Sequence, residues 1–224
     1  MSIVRWFSLL GLMLISGLVL LAAQAGDNSN QRPPQWATSV GNQYNLNQMT
    51  PTLYRSTLPD SNAVPILARL NITTVINFQP EADSSWLSAP NIKQVHLPYR
   101  IGHVDDADVL TVLRAIKDAE DRGSVLIHDR KGTERAGLMA AMYRVVVQGW
   151  SKEEALSEMM MGGFGDSTHF KDSIRYMMQA PVDKLREALA SGACSTSPYA
   201  TCAVQSWLKS VSAEDEPGVT RLSK

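Results

Sequence analysis

The run Val125-Leu126-Ile127-His128-Asp129-Arg130-Lys131-Gly132-Thr133-Glu134-Arg135-Ala136-Gly137 decides the fold of this chain. Val125 to Ile127 is the short apolar run of a buried strand. A polar loop with one glycine follows, and Leu138 to Val147 then continues as a helix without a breaker. A strand, a tight loop and a helix N-terminus together make an anion site. The loop amides converge, the helix dipole adds partial positive charge, and Arg135 supplies a planar fork of donors. The candidate binding loop is Arg130, Lys131, Gly132, Thr133, Glu134 and Arg135. Arg130 and Lys131 read equally well as anion-attracting groups or as solvated loop charges.

Outward from that loop, strands and helices alternate in the first half and helices dominate the second. Short strands are predicted within Pro51–Pro59, over Ile72–Phe78 and over Lys93–Leu97. Ser61 to Leu70 reads as a helix capped by Ser61, with Pro65 in its first turn. Asp105 or Asp106 starts a helix to about Asp121, whose apolar face is Val109, Leu110, Val112, Leu113 and Ile116, and Gly123 ends it. Ser151-Lys152-Glu153-Glu154 is a capping box for a helix to about Met161, broken by Gly162-Gly163-Phe164-Gly165. Further helices are predicted from Asp166 to Met178 and from Pro181 to Ala190, and a short one over Ala203–Val211. Trp36 to Asn47 reads as an irregular segment laid on the domain. The fold class is α/β, a small, mostly parallel central sheet flanked by helices. The paired methionines of the second half read as adaptable core filler rather than a ligand set.

Residues 1–25 have the form of a signal peptide: Arg5 as the positive region, an apolar run from Trp6 to Ala22, and Ala23-Gln24-Ala25 as the cleavage site. An uncleaved membrane anchor is the alternative. No stable membrane insertion is expected after cleavage. Residues 26–35 read as a flexible leader, 36–190 as one domain, and 191–224 as a disulfide loop and tail. The formal charge is −1, so nothing points to nucleic acid or to an anionic lipid surface. Cys194 and Cys202 are the chain's two cysteines. In an exported protein they read as a disulfide, with two free thiols as the alternative. No Cys/His cluster has metal-ligand spacing.

The loop resembles the signature of the cysteine phosphatases (protein tyrosine and dual-specificity phosphatases): His-Cys, five residues, Arg, then Ser or Thr. His128, Gly132 and Arg135 match it. Asp129 stands at the position of the nucleophilic Cys, and Ala136 at that of the Ser or Thr. Arg55-Ser56-x-x-Pro59 is a second point of likeness. The pattern from Asn45 to Pro59, Val104 to Leu110, Ala140 to Arg144, Val146 to Trp150, Gly162 to Asp166 and the two late cysteines extend it. They resemble the periplasmic bacterial tyrosine/dual-specificity phosphatases linked to biofilm signalling (the TpbA type). The resemblance implies a cysteine-phosphatase fold, a periplasmic location and no metal or other cofactor.

It also implies a mechanism that this chain lacks parts for. In that family a thiolate attacks phosphorus, the loop amides and Arg hold the oxygens, a loop Asp protonates the leaving group, and the Ser or Thr assists the second step. Asp129 puts a fixed negative charge where the phosphoryl group would sit, and Arg135 is expected to pair with it. Two unit charges about 4 Å apart repel by roughly 4 kcal/mol at an effective dielectric near 20. The general-acid position falls on Gly102. Asp105, Asp106 and Asp108 read as helix-start residues, with Asp105 carried as a candidate proton donor and His103 as a weaker one. His128 is expected to be structural.

Three losses in one mechanism favour a pseudophosphatase acting in envelope signalling. Its expected partner is a phosphorylated protein or the periplasmic domain of a membrane signalling protein. Trp36, Trp86 and Trp150, read as exposed, are candidate contacts, with core the favoured reading for Trp150. The alternative is an active protein-tyrosine/dual-specificity phosphatase in which Asp129 itself forms an acyl phosphate.

Overall fold

The computed structural model describes residues 32–165, 168 and 170–205. The expected signal peptide over 1–25, residues 26–31 of the expected leader, Asp166 and the expected tail beyond 205 lie outside them. Two units are separable, Met1–Pro34 and Gln35–Lys224, and the fold is that of the second.

Six strands form one sheet: β1 Thr38–Ser39, β2 Asn47–Gln48, β3 Leu53–Ser56, β4 Ile72–Asn77, β5 Lys93–His96 and β6 Ser124–His128. Their order is β1-β2-β3-β6-β4-β5. β3, β6, β4 and β5 are parallel, and β1 and β2 add an antiparallel margin. The segment expected to be irregular therefore carries β1 and β2. Their two-residue length and polar composition hide them from a period-2 search.

β6 is central and buried along its whole length. Val125 and Ile127 join the core beneath the helices, while Leu126 joins a smaller cluster with Leu67, Ile72, Val75 and Leu87 on the other face. That alternation is the strand's pleat made visible. The larger face is covered by α2 Asp106–Glu120, α3 Arg135–Met142, α4 Lys152–Met161, α5 Lys171–Gln179 and α6 Val182–Ser191, and the smaller one by α1 Val64–Arg69. α2 buries Val109, Leu110, Val112, Leu113 and Ile116, its predicted face.

Several helix boundaries differ from expectation, each for a local reason. Asp60, not Ser61, caps the segment before α1, its carboxylate accepting from Asn62 N at 2.8 Å, and a 3-10 turn over Ser61–Ala63 precedes the α-helix. α3 begins at Arg135 and passes into a π-helix over Tyr143–Val147. α5 begins at Lys171. The box at Ser151 and Glu154 is present as read. Residues 201–205 are helical, and Cys194 and Cys202 are joined in a disulfide.

A buried ion pair ties the N-terminal margin to the helices. Arg144 Nε and Nη2 donate to the two oxygens of Glu158 at 2.8 and 2.7 Å. Arg144 also donates to Met49 O and stacks over Trp150 at 4.3 Å. Ala37 N donates to Glu158 Oε1 at 2.6 Å. Trp36, Trp86 and Trp150 are each half-buried, which corrects the expectation of exposed tryptophans.

Candidate active site: a phosphate-type loop filled by its own carboxylate

Parallel strands direct their carboxyl ends to one edge of the sheet, where ligand sites in such folds form. His128 ends β6, paired in register with Ser56 of β3 and Asn77 of β4. It has 0% exposure, and its Nε2 lies 2.9 Å from Asp83 Oδ2. Asp83 Oδ1 accepts from Asn77 Nδ2 and Trp86 Nε1, both at 2.9 Å. Every strong contact of this imidazole is structural, as expected for a residue behind the loop.

The chain turns sharply after His128. Gly132 takes φ +71°, and a Cβ there would stand 2.8 Å from Ser56 O, so the position needs glycine on both counts. Arg55 Nη2 donates to Gly132 O at 2.6 Å, and its guanidinium stacks over Phe164 at 3.9 Å. Burial lowers the Arg55 pKa to about 10, against the opposing pull of Glu158 and Asp129. Thr133 is buried beside the turn, with its hydroxyl unpartnered.

The loop closes on Asp129. Lys131 N donates to Asp129 Oδ1 at 3.0 Å, and Gly132 N donates to the same oxygen. Arg135 N and Ala136 N donate to Oδ2 at 2.6 and 3.0 Å. Four amides thus converge on one carboxylate that is 2% exposed. Two of them are the opening amides of α3, which has no side-chain cap of its own. Asp129 therefore satisfies two of the orphan donors of the helix from the far side of the loop.

The expected pairing of Arg135 with Asp129 is corrected in its chemistry. The backbone amide of Arg135, not its guanidinium, holds the carboxylate, and no ion pair joins the two residues among those described. Its Nε donates to Tyr99 O at 2.9 Å, while Tyr99 Oη donates to Arg135 O at 2.7 Å. Tyr99 clamps Arg135 at both ends, and burial, followed by the charge of Asp129, raises its phenol pKa. The four-amide ligation of Asp129 meets the guanidinium's expected role with shorter-range partners.

A cleft of about 240 Å³ opens over the loop. Gln79, Pro80 and Glu81 form one wall, and Asp129, Arg130, Lys131, Glu134 and Arg135 the other. Asp105 does not line it. Its carboxylate accepts from Asp108 N at 2.9 Å and Asp108 Oδ2 accepts from Asp105 N at 3.2 Å, a reciprocal capping box on α2. Position 105 is thus a helix cap, which takes the place of the proton-donor assignment. His103 is likewise outside the cleft lining, in a 3-10 turn over Ile101–His103. A Cβ at Gly102 would meet Asp172 Oδ2 at 3.5 Å, an ordinary contact, so a side chain fits there.

Residues 53–189 match the family described as PTP-SAK, Swiss Army Knife protein, DSP-PTPase phosphatase domain. The chain belongs to the dual-specificity phosphatase family. Two family proteins, each named dual specificity protein phosphatase TpbA and from two strains of Pseudomonas aeruginosa, are 45% and 44% identical over 209 residues, covering 92% of this chain and 95% of each relative. The crystal structure of P. aeruginosa TpbA is 48% identical, with TM-score 0.69, and covers 71% of this chain and 99% of that one. A Cys-to-Ser variant of that protein in complex with pTyr gives TM-score 0.70 at 48% identity, covering 72% of this chain and 100% of that one. The core catalytic domain of the PP-IP phosphatase SIW14 from S. cerevisiae, 17% identical with TM-score 0.57, covers 67% of this chain and 93% of that chain and shares the fold.

Asp83, Tyr99 and Arg55 were not singled out as site residues by sequence. Arg55 alone left a signal, in the Arg-Ser-x-x-Pro likeness. Asp83 opens a 3-10 turn over Asp83–Ser85 and Tyr99 sits in a loop, and only the folded chain brings them to the site.

Proposed function

We propose that this dual-specificity phosphatase family member is a catalytically impaired pseudophosphatase, exported to the periplasm, that acts in envelope signalling by binding rather than by turnover. The observation that carries the reading is the ligation of Asp129. Its carboxylate takes four amides of the loop and of the start of α3, so a phosphoryl group meets those donors already engaged and a like charge. Both cysteines of the chain are held in one disulfide, which leaves no thiolate to replace the missing nucleophile. Ala136 offers no hydroxyl for a second step, and Gly102 no acid for the first. An acyl-phosphate route through Asp129 is disfavoured by the same geometry, because both of its oxygens are occupied and turned inward. The disulfide and the N-terminal sequence support export. Of the partners expected from sequence, the periplasmic domain of a membrane signalling protein fits this reading, and a phosphorylated protein docking its phosphoryl group in the loop does not.

The test compares wild type with Asp129→Cys and with Gly102→Asp plus Asp129→Cys, using an aryl phosphate and phosphotyrosine peptides. Wild type is expected to give no turnover above background, and the double substitution to recover the most. Turnover by wild type at the rate of the double variant would sink the proposal.

A further inference from the structure

The cleft over the loop has an unusual division of donors. Beneath it, four backbone donors are taken, since Lys131, Gly132, Arg135 and Ala136 spend their amides on Asp129. Those on its wall are not. Arg135 commits its Nε and its backbone to Tyr99 and Asp129, and its two Nη atoms make no hydrogen bond or ion pair among the described residues. The exposed side chains of Arg130 and Lys131 are likewise without such contacts. A guanidinium anchored at Nε and open at both Nη atoms is a fixed fork, and a planar carboxylate matches it bidentately.

Charge and size narrow the ligand further. The lining carries three cations and three carboxylate residues, Glu81, Asp129 and Glu134. A group with one negative charge and an adjacent positive one fits that balance, whereas a dianion faces the Asp129 carboxylate, which already holds four backbone amides. The volume of about 240 Å³ falls below the roughly 300–1,000 Å³ usual for pockets that enclose a small molecule. It suits one side chain presented by a longer segment.

We propose that this cleft binds the side-chain carboxylate of an unphosphorylated acidic residue in a partner peptide, with a neighbouring Lys or Arg of that peptide facing Glu81 and Glu134. Arg135 reads the carboxylate, and Arg130 and Lys131 supply attraction at the rim. This deepens the pseudophosphatase reading and rests on its closed cradle. It also replaces the phosphorylated partner expected from sequence with an acidic one.

The experiment titrates the purified, disulfide-bonded protein into fluorescent nonapeptides identical except at the centre, which is Glu, Gln or phosphotyrosine, each with a flanking Lys. The Glu peptide is expected to bind about tenfold or more tightly than the Gln peptide, the worth of one bidentate charged contact at roughly 1.4 kcal/mol per decade. The phosphotyrosine peptide is expected to bind more weakly than the Glu peptide. Arg135→Lys keeps the charge but not the fork, and should remove most of the preference for Glu over Gln while far-UV circular dichroism stays unchanged. Asp129→Ser should reverse the order in favour of phosphotyrosine. Equal binding of the Glu and Gln peptides overturns the ligand assignment and leaves the closed cradle standing, to be judged by turnover. Tightest binding of the phosphotyrosine peptide by wild type overturns both.

Discussion

Replacing Asp129 by Asn keeps the shape of the side chain and removes half of its accepting power. Asn has one carbonyl oxygen, so it can serve either the Lys131 and Gly132 amides or the Arg135 and Ala136 amides. The other pair then faces an NH2 group. Each pair holds one buried and one part-buried donor. Donors left without an acceptor cost about 1–3 kcal/mol each when buried, and a value of roughly 3 kcal/mol in total allows for partial exposure and relaxation. For a chain of this size that corresponds to a fall in melting temperature of roughly 6–12 °C. Asp129→Ser empties the cradle instead, and inorganic phosphate should occupy it. At a phosphate concentration near 100 times Kd the variant regains about 2.7 kcal/mol, or roughly 5–11 °C. Wild type, with its cradle filled, should not respond beyond a sodium chloride control of equal ionic strength. Thermal unfolding followed by circular dichroism reads both effects. An Asp129→Asn protein that melts within about 1 °C of wild type, or a wild type that phosphate stabilises as much as it does Asp129→Ser, would refute the reasoning.

Arg144→Met leaves Glu158 buried and unpaired, with Ala37 N as one remaining donor, and should cost about 3–5 kcal/mol in chemical denaturation. Reducing the Cys194–Cys202 disulfide frees a short loop and should lower stability by about 2–3 kcal/mol, seen as a lower denaturant midpoint in dithiothreitol. The Tyr44 Oη–Asp60 Oδ1 contact of 2.5 Å gives a pH signature with a definite sign. It raises the Tyr44 pKa to about 12 and lowers that of Asp60, the hydrogen bond being the first cause of each shift. The folded protein thus holds the Tyr44 proton longer than the unfolded chain, so this stabilisation is present below pH 10 and lost as pH rises from about 10 to 12. For Asp60 it is present above about pH 4 and lost as pH falls. Tyr44→Phe should move the Asp60 titration, followed by NMR, back toward the ordinary aspartate value; an unchanged Asp60 titration would contradict the assignment.

Much of the scaffold was legible because it rests on local rules. The apolar run at Val125–Ile127, the heptad-like face of α2 and the box at Ser151 and Glu154 each declare themselves within one window of sequence. β1 and β2 did not, since two-residue strands of polar side chains exist only by virtue of their partners. Asp60 displaced Ser61 as a cap because the backbone enters the turn one residue earlier. The loop's candidate residues fell together as expected, yet the bonds between them differed. Sequence pairs opposite charges, Arg135 with Asp129, whereas the folded loop gives the carboxylate to amides that cannot otherwise be satisfied and anchors the guanidinium on Tyr99, 36 residues away.

That difference bears on how such a loop keeps its shape with a carboxylate at position 129. A loop whose amides point inward toward one spot is unstable when the spot is empty, because buried donors without acceptors carry a desolvation cost each. An enzyme with this loop relies on its ligand, its nucleophile or ordered water to meet them. A neutral, short residue at position 129 would leave Lys131, Gly132, Arg135 and Ala136 searching for acceptors, together with the dipole of α3. A carboxylate at that position meets all four at once and caps the first two amides of the helix. Asp129 therefore closes the site and holds the loop in shape by the same contacts. This accounts for Gly132, Arg55 and Tyr99 keeping the geometry of an anion cradle around a residue that itself supplies the anion.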